Sequence, residues 1–445
     1  MPFSIQKLLT RAAWLNIHLY LALSAGLFFA IMGLTGSISV YREELDELLN
    51  PQLVIEQPQG KYQSLDKIME AVQQAHPDRY GSWTLEMPRS PHSMMTAWFE
   101  KPRETYFELY APLMVSVNPY TAEVVASRFW GQTATTWLLD LHTQLQFDRP
   151  GWNAVGMLGL LLMVSVSTGL YLWWPGVAGL WQALKIRHNA GMMQLAFDLH
   201  RMTGLLSAMA LLLLAFTGFL LAFPALMETL TGATGMAHGE TGRTIISTAI
   251  PNNHPTRLEA AEFVARGAFP RAQLRRITTP AGDTGIYRIN LRQNSEINQR
   301  HPFTTVWIDR WSGQIKEVRD PYRFSSGERF MTWLWPLHTG EALGATGRFA
   351  WFLAGQGLFF LTITGLLRWL YRSGRIADRA VDFSSLRKHS YRLAGLTYRM
   401  SLMLFRLSTE LLQRMIPLVI QAYAMLLQWF KRIAANRQKL IGKND

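Results

Sequence analysis

The sequence predicts a membrane all-α bundle of four transmembrane helices in a tandem two-plus-two repeat, with two small α+β domains outside the bilayer. Three observations predict it. Four apolar stretches, at about 14–40, 152–174, 200–223 and 349–371, are each long enough for an α-helix to cross the hydrocarbon core. Composition agrees, since 49% of the 445 residues are hydrophobic and only 17% charged, against roughly 25% charged in soluble domains. The third is a recurring spacing: His18 precedes Thr35-Gly36 by 17 residues, and His200 precedes Thr217-Gly218 by the same 17.

In chain order, the first span occupies 12–40. It follows Lys7 and Arg11 and ends in Tyr41-Arg42-Glu43-Glu44 rather than small residues, so it reads as an uncleaved anchor and not a signal peptide. Segment 41–136 is the first outer domain. Within it Ser64–His76 places Leu65, Ile68, Met69 and Val72 on one helical face, and Met114–Val125 reads as a hairpin turning at Asn118 to Ala122. An interfacial helix and the second span fill 137–174, and a short basic connection runs over 175–196.

The pattern then starts again. The third span fills 197–223, and 224–332 forms the second outer domain. Its helix carries Leu258, Ala261, Phe263 and Val264, and its hairpin Val306–Ile315 turns at Asp309 to Gly313. An interfacial helix and the fourth span occupy 333–372. Trp137 lies five residues before His142, and Thr168-Gly169 follows that histidine by 26; Trp333, His338 and Thr364-Gly365 repeat both intervals. Coincident intervals of this kind predict a duplication with both halves in the same orientation, related by a pseudo-twofold axis along the membrane normal. That axis sets His18 opposite His200 and His142 opposite His338. The basic region 373–445 leaves two readings open, an amphipathic helix on the inner leaflet or a fifth span.

The net charge of +13 raises a nucleic-acid partner, but its distribution excludes that reading. Lys7, Arg11, Lys185, Arg187 and the many Lys and Arg after residue 367 gather on one side of the spans, which the positive-inside rule makes the cytoplasm. The expected location is a bacterial inner membrane, multi-pass, with both termini cytoplasmic and both outer domains in the periplasm. Segment 41–136 holds eight Lys or Arg against thirteen Asp or Glu, and 224–332 holds fourteen against ten, so the second domain is the basic one. Arg271, Arg275 and Arg276, with Arg288 and Arg292 behind them, read either as a solvated face or as a docking surface for an anion.

The absence of cysteine excludes disulfides, thiolate-held iron–sulfur clusters and covalently attached c-type haem. A porphyrin iron takes two axial imidazoles from opposite faces, which facing helices of a bundle can supply. Two such pairs, His18 with His200 and His142 with His338, predict two b-type haems, one near each membrane surface. Ala22 and Gly204, one turn from the inner histidines, are expected to let a flat ring approach; Gly340 and Gly344 do so near His338, where the first half has the bulkier Gln144 and Gln146. A lone interfacial histidine more often hydrogen-bonds to backbone or lipid headgroups, and it is the repetition of all four that favours ligation. His76, His92, His188, His238, His254, His301 and His389 fall outside the repeat and read as solvated. No GxGxxG follows a strand, so no flavin or nicotinamide site is expected and the electron donor is a cytoplasmic partner or the quinone pool.

The opening from His18 to Asp46, the DLHRMTGL of Asp198–Leu205, the LHTG of Leu337–Gly340 and the two outer hairpins together resemble the PepSY-associated transmembrane helix family, from residue 12 to about residue 372. The resemblance implies two periplasmic PepSY-like domains and an inner-membrane haem-b reductase delivering electrons to a ferric siderophore or other small ferric chelate. It also implies that His18, His142, His200 and His338 are the family's motif histidines; no catalytic residue beyond them is assigned. The first half departs from the pattern at Leu141-His142-Thr143-Gln144 and Asn118-Pro-Tyr-Thr-Ala, which lack the second half's glycines. The competing reading is a membrane-anchored binding, inhibitory or sensory protein with no redox chemistry.

Overall fold

A computed structural model describes residues 10–58, 60–187, 191–233, 245–250 and 254–378. The C-terminal region with its two open readings lies outside the described residues from 379 onward, as do His188 and His238. Four helices are long and apolar enough to cross a membrane: Arg11–Ser39, Asp148–Trp173, Met192–Ala222 and Glu341–Arg372.

Helix α1, Arg11–Ser39, starts where the Thr10 side chain accepts from the Ala13 amide, supplying one of the acceptors a helix start lacks. The short α2, Arg42–Leu49, follows, and then α3, Leu65–Ala75, capped by Ser64 and burying Leu65, Ile68, Met69 and Val72 on one face. Strands β1 (Thr84–Glu86), β2 (Met95–Phe99), β3 (Leu113–Val117) and β4 (Val124–Phe129) lead to α4, Ala134–Gln144, and α5, Asp148–Trp173. The second half uses the same order: α6 (Met192–Ala222), α7 (Pro224–Thr231), α8 (Leu258–Ala268), β5 (Gln273–Thr278), β6 (Ile286–Arg292), β7 (Thr305–Asp309), β8 (Ile315–Arg319), α9 (Ser326–Thr339) and α10 (Gly344–Arg372). A capping box between Ser325 and Glu328 opens α9, and Gly340, at φ 81°, closes it.

The two outer segments do not form separate sheets. Their strands join in one eight-stranded antiparallel sheet of order β4-β3-β2-β1-β5-β6-β7-β8. At the seam Thr84, Leu85 and Glu86 of β1 face Thr278, Ile277 and Arg276 of β5. The reason is the edge: β1 and β5 would each end a four-stranded sheet with unpaired backbone groups, and pairing them removes both edges. Helices α3 and α8 cover one face, and a single core of Ile68, Val72, Leu85, Ala97, Val115, Ala261, Ile277, Ile289 and Ile308 runs beneath both. Asp66 of α3 accepts from the Leu258 and Glu259 amides, so the start of α8 is capped from the other half. Phe263, read as a core residue, is instead 78% exposed; five residues after Leu258 it has turned off the buried stripe.

Both hairpins need a left-handed residue. Gly313 takes it in the second half (φ 67°) and Ala122 in the first (φ 63°), at higher strain for a residue with a Cβ. The bundle packs through Ala25, Phe29, Leu162, Leu211, Ala215 and Leu358, and α1 meets α10 closely where a Cβ on Gly33 would lie 2.5 Å from the Gly355 carbonyl.

Candidate heme-ligating histidine pairs

Each of the four histidines is held through Nδ1 by the threonine of a Thr-Gly pair on a neighbouring helix. His18 on α1 contacts the Ser165 carbonyl at 3.0 Å and Thr168 Oγ1 at 3.1 Å on α5. His200 on α6 repeats this on α10, with the Leu361 carbonyl at 3.0 Å and Thr364 Oγ1 at 3.1 Å. At the sheet end, His142 Nδ1 lies 3.2 Å from Thr35 Oγ1 and His338 Nδ1 3.0 Å from Thr217 Oγ1. Within each half, therefore, the second span holds the first span's histidine at one end, and the first span holds the histidine of the interfacial helix, α4 or α9, at the other.

The hydroxyls decide the tautomer. A threonine has one proton to donate, and each gives it to a carbonyl of its own helix: Thr35 to Ile31, Thr168 to Ser165, Thr217 to Leu213 and Thr364 to Phe360, at 2.6–2.8 Å. The oxygen must then accept from the imidazole, so the proton sits on Nδ1 and Nε2 keeps its lone pair. No protein hydrogen bond reaches Nε2 of these four among the described residues. This is how a protein orients a metal-binding histidine, with the far nitrogen fixed by a second partner. Burial also pushes His142 and His338 down to about 4, so both are neutral, the ligating form, near pH 7.

The glycine after each threonine makes room for the ring. A Cβ on Gly36, Gly169, Gly218 or Gly365 would lie 2.7, 3.2, 3.0 or 3.2 Å from Cε1 of His142, His18, His338 or His200. At Gly204 a Cβ would meet Leu361 Cδ2 at an ordinary 3.6 Å, so that glycine is not what seats an imidazole.

The rings meet across the halves. The centroids of His18 and His200 are 6.3 Å apart with planes at 81°, and those of His142 and His338 are also 6.3 Å apart, at 39°. Metal–nitrogen bonds of about 2 Å on both sides, with the ring radii added, put two axial imidazole centroids roughly 6 Å apart. Seventeen residues of α1 separate His18 from Thr35, which places the two pairs roughly 25 Å apart along the helix. No group of three or more His, Asp or Glu able to hold a bare ion occurs among the described residues. Two imidazoles alone would leave a metal under-coordinated, so any metal held there would have to bring its remaining donors with it, as a tetrapyrrole's four nitrogens do.

An ion network roofs the sheet-end pair. Arg276 pairs with Glu86 at 2.9 Å and reaches His301 Nδ1 at 3.0 Å, and His301 packs edge-on against Trp335 at 5.2 Å, one turn before His338. Arg300 joins Glu43 at 3.4 Å to Glu341 at 2.5 Å. His301 is thus half-buried and engaged rather than solvated. Although burial opposes its charge, Glu86 stays ionised below the usual carboxylate range because Arg276, Arg89 and Arg42 surround it. The arginines read as one patch are divided: Arg276 belongs to this network, Arg271 is exposed, and Arg275 lines a groove of about 500 Å³ with Tyr62, Met87, Arg89 and Arg266. At the opposite end Asp198, fully buried, holds Arg187 at 2.7 Å and Arg201 at 3.5 Å.

The sequence pointed to the histidines and their pairing but assigned no partner to the Thr-Gly pairs. Their fixed distances from the histidines, 17 and 26 residues, marked them as part of the same repeat without saying which histidine each one serves. A comparison with curated proteins finds no match. The family described as PepSY-associated TM region matches residues 15–372, nearly all of the described chain, and the protein belongs to that family.

Proposed function

We propose that this is an inner-membrane haem-b protein that takes electrons from a cytoplasmic or quinone donor and passes them to a periplasmic acceptor, a ferric siderophore or another small ferric chelate. One observation carries the reading: two imidazole pairs, each assembled across the halves, with Nδ1–H committed to threonine and centroids 6.3 Å apart. His18 with His200, and His142 with His338, would hold one haem b each. Bound there, the iron supplies a one-electron couple at each membrane surface.

The chain's own residues do the rest. Thr168, Thr364, Thr35 and Thr217 keep Nε2 available and the rings oriented, and the four glycines keep the approach open. Ala25, Phe29, Leu211 and Leu358 fill the bundle between the pairs and exclude water. In this reading the two halves descend from one duplicated unit, each with its own PepSY-like outer module. In the same reading the basic flank of the spans faces the cytoplasm, which the positive-inside rule supports, and the sheet faces the periplasm. There Arg275, which forms no ion pair among the described residues, would draw an anionic chelate into the groove it lines.

The test is reoxidation. The purified protein should show a b-type spectrum that dithionite reduces and a ferric chelate reoxidises. A protein free of haem, or a reduced haem that no ferric chelate reoxidises, would leave the non-redox reading in its place.

A further inference from the structure

The two halves match closely around the histidines, but the environment of the pair at the end away from the sheet is lopsided. Beside His18 the chain places Leu15, Leu19 and Leu172; at the corresponding positions beside His200 stand Phe197, Arg201 and Arg368. Both arginines face the Phe197 ring, Arg201 at 5.7 Å and Arg368 at 3.8 Å from its centroid.

Only one of them is already neutralised. Arg201 lies 3.5 Å from buried Asp198 and donates to the Lys185 carbonyl at 2.7 Å. Arg368 has no carboxylate partner among the described residues. It stands one turn beyond Thr364, the residue that fixes His200. An arginine near a helix end commonly extends toward lipid headgroups. Here the guanidinium instead lies on Phe197, one turn before His200, and is held beside the imidazole pair on the side of the nearer membrane surface.

We propose that Arg368 receives a propionate carboxylate of the haem held between His18 and His200, and so turns the polar edge of that ring toward α6 and α10. The inference rests on the haem reading above. A guanidinium matches a carboxylate with two parallel donors, and a partly buried cation near the iron also favours the reduced state. At the sheet end Arg276 and Arg300 are already paired with Glu86, Glu43 and Glu341, so that pair serves as an internal control.

The experiment strips haem from the purified protein and reconstitutes it with haem b or with its dimethyl ester, whose carboxylates are masked. Parent, Arg368→Gln, Arg368→Lys and, as a control for surface charge, Arg372→Gln are compared. The readouts are haem loss to apomyoglobin and the midpoint potential of each site. With haem b, Arg368→Gln should lose the inner ring roughly tenfold faster, as for removal of a charge-assisted hydrogen bond. Its inner potential should fall while the outer one is unchanged. Arg368→Lys should retain most of both properties, and Arg372→Gln all of them. The ester should weaken the parent and add nothing in Arg368→Gln. The proposal is overturned if Arg368→Gln leaves the inner site unchanged, or if the ester weakens parent and variant equally, which would assign Arg368 to a lipid headgroup. An equal shift in Arg372→Gln, or loss of both rings in Gln and Lys variants alike, would overturn it too. A parent that takes up no haem sinks the haem reading itself, an outcome distinct from a loaded parent with an indifferent Arg368.

Discussion

At the scale of single residues the proposed haem sites turn on where one proton goes. Thr217 gives its hydroxyl proton to Leu213 and must accept from His338, and the same holds at Thr35, Thr168 and Thr364. Thr217→Val keeps the shape and removes the acceptor. It should weaken the outer site 10- to 100-fold, in line with other second partners of metal-binding histidines, and leave the inner site intact; equal haem retention at the outer site would contradict the tautomer argument. The histidines were legible in the sequence because their intervals repeat in the two halves. The contacts were not, since nothing in a linear spacing says that Thr168 serves His18 while Thr35 serves His142.

At the scale of elements, local pattern and tertiary pairing differ sharply in how well they can be read. The spans, the α3 face and both hairpins follow from periodicity and turn residues. The β1–β5 seam does not, because Glu86 and Arg276 are 190 residues apart in sequence and neither strand signals its partner. The cap on α8 comes across that same boundary from Asp66. Asp66→Ala should cost about 1 kcal/mol, as for a lost helix cap, and raise amide exchange first at Leu258 and Glu259; unchanged exchange there would show that the cap is idle. The hairpin at Asp309 makes a second prediction. Burial disfavours its charge, but the amides of Ser312, Thr248 and Trp311 and the Lys316 ammonium outweigh this and hold the carboxyl down to about 2. A carboxyl depressed on folding stabilises the fold above its unfolded value near 4, and that contribution fades as pH falls from about 4 toward 2. Acid titration of the sheet should show a loss in that window that Asp309→Asn abolishes; an identical acid profile in the variant would exclude it.

At the scale of the whole molecule, the halves are joined twice, by the seam of one sheet and by two histidine pairs that neither half completes alone. The expectation of two separate outer domains missed the first junction, whereas the matching intervals anticipated which histidines meet at the second. The charge pattern gives a functional prediction at this scale. Arg275→Gln should slow reoxidation of the reduced protein by an anionic ferric chelate, most at low salt, where screening is weakest, and leave a neutral acceptor unaffected. Equal rates with both acceptors would exclude the groove as the docking surface. The central claim, that each pair spanning the two halves holds one haem, is tested most directly by a pyridine haemochrome count. Two haems per chain are expected in the parent and one in His18→Ala, in His200→Ala and in the double variant alike. A count of one or none in the parent, or a further loss when the two substitutions are combined, would contradict it.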